Sequence, residues 1–479
     1  MAISVNTVLE VRSGGSDTNG GGFVTGASGT DWSQQDAAQY AVADGVTAGT
    51  TTIISATANF GTDVVGNLIY VTGGTGSVTA AWYEIVSRTN STTIVVDRST
   101  GLTAGTGVTL NIGGGLATPG QAGAIKVAGN KIFIKYNATP YTLSSASANV
   151  AGGTIDDTTG GVDGTAQSWW VGYDTTRTVL NTDANRPTLK IPAAGVSSVT
   201  VVNVGNVQGV NIVNLIVDGN SKTSIIGINN NFYFSGGLIL RCKAINCTTY
   251  GIASTDAAHS NAGSIVACEA TTCSGTAAIY SASTNAVIAC YSHDNTTHGF
   301  SLAGGYVSDC IADSNSGGSS DGFTASSASP SFFNCVAYNN GRDGFRNSGG
   351  FTRSYLYLNC IAVSNAGYGF NNGSSAVDGL IFILCATYSN TSGAFEATLT
   401  AKQGCIALSG DPFTSSAGGD FSLNNTAGAG ASCRAAGFPG VFPGGTTTGY
   451  LSIGAVEPQA SGGGGGGANL LGNGTLTIG

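Results

Sequence analysis

Eight cysteines, at 242, 268, 290, 310, 335, 360, 385 and 405, recur at intervals of 26, 22, 20, 25, 25, 25 and 20 residues. The residues after them recur too: CKAINC, CEATTC, CYSHDN, CIADSN, CVAYNN, CIAVSN and CATYSN. Two positions past the cysteine stands a small residue, usually alanine. Five positions past it stands Asn295, Asn315, Asn340, Asn365 or Asn390, with Cys247 and Cys273 in the first two copies. About ten positions past it comes an apolar residue, Ile252 and Ile279 and then Phe300, Phe323, Phe345, Phe370 and Phe395. Most of these follow glycine, as in HGF, DGF and YGF.

One geometry accounts for the whole pattern. Cysteine and alanine at i and i+2 share one face of a strand. The asparagine suits a turn, where its amide bonds backbone and tolerates the left-handed conformation. The glycine permits a second tight turn. A unit of 20 to 26 residues built this way has no partner for its apolar face except copies of itself. Stacking at about 4.8 Å would then file Cys, Ala and Phe inward and Asn at a corner.

This pattern resembles the right-handed parallel β-helix, the pectate-lyase-like fold shared by pectate lyases, many phage tailspikes and numerous surface proteins. The ends extend the resemblance. VLEVRSGGSDTNGGGF resembles an opening strand and turn, and ATPGQAGAIKVAGNKIFIKY, from Ala117, a capping helix and first rung. GGDFSLNNTAGAGASCRAAG with YLSIGAVEP resembles a closing segment. The expected fold is therefore all-β, a single-stranded parallel β-helix carrying a small inserted β subdomain near the N-terminus. The expected divisions are an N-terminal strand and cap over 1–35, the insertion over 36–115 and the helix over 116–458. A glycine-rich linker over 459–468 leads to residues 469–479, either a docking strand or a disordered tail. The insertion is read from three alternating apolar runs in VVGNLIYVTGGTGSVTAAWYEIVSRTNSTTIVVDRSTG.

Composition narrows the function classes. Charged residues make up 9% of the chain, against roughly 25% in ordinary soluble domains. The net charge of −9 is spread thinly, with no basic run. Nucleic acid is therefore not an expected partner, since phosphate binding needs a concentrated basic face. No stretch of 18 apolar residues predicts a membrane span, and no basic region followed by an apolar one predicts a secretory signal.

Candidate site residues come from the columns. His298, Asp321 and Asp343 all precede Gly-Phe and should project from one edge, flanked by Arg342 and Arg346. Paired carboxylates suit the acid and base roles of glycoside cleavage, and a cation beside them could stabilise charge in lyase chemistry. His293 above Asp313 makes a second acid–base pair. The preferred alternative is that Asp-Gly and His-Gly are ordinary turn dipeptides with side chains facing water. Tyr338 and Tyr388 share the outward column of His293, and Tyr355 and Tyr357 lie in the strand before Cys360. Such aromatics suit the apolar faces of sugar rings.

The resemblance to enzymes of this fold is incomplete. The acidic cluster with which pectate lyases hold calcium is missing, as is the polygalacturonase pattern of adjacent aspartates, Gly-His-Gly and Arg-x-Lys. No metal and no cofactor is expected, and the cysteine spacing lacks the short pairs that zinc sites favour. The cysteines are read as small buried column residues, with Cys247 and Cys273 the pair best placed for a disulfide. The leading expectation is a structural phage virion surface protein, a tail fibre, tailspike or capsid decoration. It would contact other virion proteins or itself, with a surface polysaccharide as a further ligand. The alternative is a secreted polysaccharide lyase or glycoside hydrolase.

Overall fold

Alternation along each short strand sends Cys and the small residue two positions on to the same side. In a computed structural model of the chain both are buried in every rung from Cys242 to Cys385. The described residues are 3–437, apart from 77, 79, 102–103, 144–154, 158–166, 178–184, 193–196, 205–208, 231–236, 256–262, 283–284, 350–354, 374–378, 400 and 435, together with Gly454. The chain divides into two units, one of residues 1–195, 202–216 and 476–479, the other of 196–201 and 217–475.

The second unit is a right-handed parallel β-helix. Each rung gives one strand to each of three parallel sheets. The first sheet runs from Ile226–Asn230 through Tyr250–Ser254 and Ala277–Ser281 to Tyr368–Asn372 and Gly393–Phe395. The second runs from Leu238–Leu240 through Ser264–Val266 and Ala286–Ile288 to Tyr355–Leu358, Leu380–Ile383 and Lys402–Gln403. Two long strands, His298–Ser308 and Phe323–Phe333, belong to both. The third sheet holds the strands that follow the cysteines, from Lys243–Ile245 and Glu269–Thr271 to Ala386–Tyr388 and Ile406–Ala407.

Aromatic rings stack in file down the interior. Phe300, Phe323, Phe345, Phe370 and Phe395 follow one another at centroid distances of 4.6, 4.8, 4.9 and 5.0 Å, with planes within 13° of parallel. A second file, Phe332, Tyr357 and Phe382, stacks at 5.0 and 4.9 Å and meets the first edge-on. Each ring thus has stacked partners in its own file and edge partners in the next, the two geometries aromatic quadrupoles favour.

The asparagine column is a buried ladder rather than a surface corner. Asn295 donates from Nδ2 to Asn315 Oδ1 at 2.8 Å, Asn315 to Asn340 at 2.8 Å, Asn340 to Asn365 at 2.9 Å and Asn365 to Asn390 at 2.8 Å. Each amide also serves main chain: Asn340 Nδ2 reaches Ala312 O, and its Oδ1 accepts the Asn315 N–H. The left-handed turn falls one residue earlier than the sequence suggested, at Asp294, Ser314, Asn339, Ser364 and Ser389. The glycines before phenylalanine also differ from expectation. Gly322 and Gly344 have no positive φ; a Cβ at either would sit 2.8 Å from the Nδ2 of Asn340 or Asn365. They are required by close approach, not by a turn.

In the first unit the strand Thr7–Val11 pairs in parallel with Lys131–Lys135, and that strand with Ser168–Tyr173. The predicted capping helix is Pro119–Ile125, with the Thr118 side chain accepting from the Gln121 N–H and Pro at its first position. The inserted subdomain is a closed antiparallel barrel of six strands between Tyr40 and Ile112. Its core includes Ile53, Val64, Ile69, Tyr83, Ile94 and Leu110. Glu10 is fully buried and is held by Arg12 and Arg177.

The C-terminal part of the repeat departs from a simple closing rung. A hairpin of Phe413–Ser415 and Asp420–Leu423 and a turn of helix, Gly430–Cys433, fold back onto the outer face of the third sheet. Residues 459–468 and 469–479, expected as a linker and a docking strand or tail, and YLSIGAVEP apart from Gly454, lie outside the described residues. No helix among the described residues is long and apolar enough to cross a membrane.

The ladder yields a direct test. Asn340→Ala removes the acceptor for Asn315 and the donor to Ala312 and Asn365 at once, at a buried position. It should lower unfolding free energy by about 3 kcal/mol, read from the midpoint of chemical denaturation. An effect near zero would mean that the ladder is not buried as described.

Candidate functional site

The outward positions of the third sheet change character along the helix. The residue after each cysteine is Lys243, Glu269 or Tyr291 in three successive rungs, then Ile311, Val336, Ile361 and Ala386. The apolar members carry the C-terminal hairpin, with Phe413, Phe421 and Leu423 packed on Ile311, Val336 and Ile361. The polar members form a charged patch where the hairpin stops, and Phe421 meets Tyr291 edge-on at 6.4 Å.

Within the patch, Glu269 Oε1 accepts from Lys243 Nζ at 2.6 Å and lies 2.9 Å from His293 Nε2. The other ring nitrogen of His293 is 2.7 Å from Asp294 Oδ2. The imidazole stacks on Tyr291 at 4.2 Å, and the Tyr291 hydroxyl donates to Asp313 Oδ2 at 2.9 Å. Ser314 also donates to Asp313. His293 and Asp313 are register neighbours, as the spacing predicts, but they do not bond to each other. Each has found other partners.

Burial and pairing set the protonation states. Burial works to raise the Glu269 pKa, but hydrogen bonds from His293 and Lys243 outweigh it and bring it down to about 2. Burial opposes charge on His293 too, and its bonds to Glu269 and Asp294 overcome this, raising its pKa above the ordinary 6.5. Asp313 moves the other way: burial raises it, and the Ser314 and Tyr291 hydroxyls offset only part of the shift. The patch thus pairs an imidazolium between two carboxylates with a third carboxyl that holds its proton more readily.

The edge column of His298, Asp321 and Asp343 is assembled as predicted, but it is not a solvent-facing acid pair. Asp321 and Asp343 are 0% and 1% exposed. His298 Nδ1 accepts the Asp321 N–H, Asp321 Oδ1 accepts the Asp343 N–H, and Asp343 Oδ1 accepts the Tyr368 N–H. Each side chain thereby caps the main chain of the next rung. Arg342 bonds both Asp321 oxygens, while Arg346 and Asn371 bond Asp343 Oδ2. Burial and the positive arginines, against the pull of Asp321, lower the His298 pKa. These carboxylates are committed to structure, so the expectation of water-facing turn residues is also corrected.

The tyrosines divide. Tyr355 and Tyr357 point inward and are 0% and 2% exposed; Leu356 and Leu358 occupy the outward positions instead. Both residue types in YLYL are apolar enough for either face, so the alternation did not decide it. Tyr338 and Tyr388 do face outward, but the hairpin packs against them, with Phe421 5.6 Å from Tyr338. Lys243, Glu269 and Tyr291 were not among the candidates read from the sequence. The signal was available in the residue after each cysteine, which is polar in the first three rungs and apolar afterwards.

All eleven cysteines are thiols, Cys247 and Cys273 included. Column thiols point at main-chain carbonyls, as Cys310 Sγ does at Ser308 O, 3.2 Å away. Burial pushes the pKa values of Cys268, Cys310 and Cys360 up. Among the described residues no cluster of His, Cys, Asp and Glu is arranged to hold a metal ion.

No protein-family model matches the chain, and no curated protein matches it in sequence. Solved structures do resemble it. Pectate lyase Pel9A aligns at 13% identity over 70% of this chain and 90% of its own, with a TM-score of 0.47. The A-module of the Azotobacter vinelandii mannuronan C-5 epimerase AlgE4 aligns at 14% identity over 62% and 78%, with a TM-score of 0.40. The catalytic unit of a GH87 α-1,3-glucanase from Streptomyces thermodiastaticus aligns at 8% identity over 77% and 87%, with a TM-score of 0.39. At these identities the likeness is one of fold.

The patch should leave a mark on stability. Glu269 binds its proton less readily when folded, so its contribution is present above its ordinary 4.5 and is lost as pH falls toward about 2. His293 binds its proton more readily when folded, so its contribution is present below 6.5 and is lost as pH rises through its raised value. His293→Gln should therefore cost roughly 1 kcal/mol between about pH 5 and 6, and progressively less above neutrality. Chemical denaturation of both proteins across that range checks it; a difference that grows with pH would refute the charge pairing.

Proposed function

We propose that this protein is a non-catalytic, rigid β-helix projection that holds a polysaccharide against the open part of its third sheet. The observation that carries this reading is the stacked Tyr291–His293 pair at the margin of the hairpin, where Tyr291 packs under Phe421 and His293 lies beside it among hydrogen-bonding groups. Aromatic planes take the apolar face of a sugar ring, and Glu269, Asp294 and Thr271 lie where its hydroxyls would reach. Binding is favoured over cleavage because the carboxylates are already engaged. Asp321 and Asp343 are tied to arginines and main chain, and Glu269 is tied to Lys243 and His293. A phage particle surface is the setting we favour, since a charge-poor, glycine-rich stacked rod suits a durable external part.

One observation favours the second reading, a polysaccharide lyase or glycoside hydrolase. Asp313 has a raised pKa and sits one rung from an imidazolium, which is the protonation state a general acid needs. A single set of assays separates the two. The protein should be retained by at least one bacterial surface polysaccharide in affinity electrophoresis, without releasing reducing ends or unsaturated products. Tyr291→Ala with His293→Ala should weaken retention about tenfold. Depolymerisation that Asp313→Asn abolishes would replace the binding reading with the enzymatic one. Immunogold labelling of particles tests the setting separately.

A further inference from the structure

His293 stands between two carboxylates. Its Nε2 is 2.9 Å from Glu269 Oε1, and its Nδ1 is 2.7 Å from Asp294 Oδ2. An ionised carboxylate only accepts, so both ring nitrogens have to donate, and only the doubly protonated imidazolium carries two N–H groups. The arrangement therefore exists in one charge state of the ring. A third group stands at the same nitrogen. The Thr271 hydroxyl, one rung back in the same column, lies 3.4 Å from Nδ1, and a hydroxyl can donate to a bare ring nitrogen.

The two carboxylates are not equally held. Glu269 is tied to Lys243 as well and is 23% exposed. Asp294 is 64% exposed, and its side chain has no other partner among the described residues. When the ring loses a proton, Nε2 keeps its hydrogen toward the anchored Glu269. The bare Nδ1 then faces Asp294 Oδ2 lone pair against lone pair, Asp294 is free to swing into solvent, and Thr271 can turn its hydroxyl in.

We infer that His293 is a proton-operated switch on the polysaccharide contact, with Asp294 as its partner when charged and Thr271 as its partner when neutral. The inference rests on the binding reading above and concerns the regulation of that same site. In the charged state the ring is fixed from both sides and stacked on Tyr291 at 4.2 Å, and the Thr271 hydroxyl is left for a sugar. In the neutral state Thr271 is taken up by Nδ1, and the ring is held from one side only. Retention is therefore strongest at acidic pH and weakens as the pH rises. The groups around the ring are Lys243, Glu269, Asp294, Asp313, the Tyr291 hydroxyl and the buried Cys273 thiol. Lys243 bonds Glu269, and Asp313 accepts from Ser314 and Tyr291. On the hairpin, Gly419 and Phe421 approach Tyr291, while Asp420 between them accepts the Ser422 N–H. Of these side chains, the imidazole is the type that changes charge near neutrality.

Two measurements on the full chain, from about pH 5 to about pH 9, test this. One is nuclear magnetic resonance of labelled histidine rings, with His293 assigned by its loss in His293→Gln. The other is affinity electrophoresis against the surface polysaccharide retained in the assay above. His293 should titrate above 6.5, and retention should fall about tenfold with the same midpoint. His298, whose Nδ1 accepts a main-chain N–H, should titrate below 6.5 and serve as the internal reference. Asp294→Asn, at a left-handed position with φ 53° that asparagine accepts, should lower both midpoints together without changing the far-ultraviolet spectrum. Thr271→Val should raise the His293 midpoint, because the neutral ring loses its donor. Retention that stays constant while His293 titrates overturns the switch and leaves the binding reading standing, as do midpoints that Asp294→Asn does not move. Absence of retention at every pH removes the binding reading, and the switch with it.

Discussion

Parallel strands stacked at one rung per hydrogen-bonded step leave about 4.8 Å between equivalent side chains. The rest of this molecule follows from that spacing. Planar rings stacked face to face fill it, which is why phenylalanine succeeds phenylalanine down the interior. Primary amides bridge it, each donating to the next, which is why asparagine succeeds asparagine. Like charges at that distance repel, and where Asp321 and Asp343 follow one another in buried positions, Arg342 and Arg346 pair with them. The composition follows as well: interior positions take small, aromatic or amide side chains, and long charged ones have few places to go.

The same spacing decides what the charged residues do. At the edge before each Gly-Phe, a histidine and two aspartates each accept the main-chain N–H of the rung beyond. Arg342 and Arg346 neutralise the carboxylates that this buries. Every oxygen of both carboxylates is thereby engaged by protein donors. On the third sheet the charges sit on the outer surface, and His293 there is held between Glu269 and Asp294 while stacked on an aromatic ring. The proposed polysaccharide contact rests on that arrangement at the margin of the hairpin.

Each sheet of the second unit solves the problem of its outer face differently. The first exposes polar and charged side chains. The third is divided, one part charged and open and the other apolar and roofed by Phe413 and Phe421. The second carries mostly apolar and serine side chains, with Tyr306 and Ile381 exposed, and ends on the exposed pair Lys402–Gln403.

The sequence by itself determined the rung. Cysteine, small residue, asparagine and phenylalanine recur at separations that only a stacked coil satisfies, and alternation made Cys and Ala inward without any knowledge of neighbours. It also determined that His298, Asp321 and Asp343 share a column and that His293 lies beside Asp313, because register is a property of the repeat. Tertiary structure decided which groups bond, which are covered and which side of an ambiguous strand faces in. Asp321 is withdrawn from solvent by Arg342 and an N–H one rung away. Tyr338 differs from an open aromatic only through a hairpin some 80 residues later. Tyr355 and Leu356 exchange roles without changing the apolar pattern. These outcomes depend on contacts between segments distant in the chain, and a repeat read one copy at a time carries no record of them.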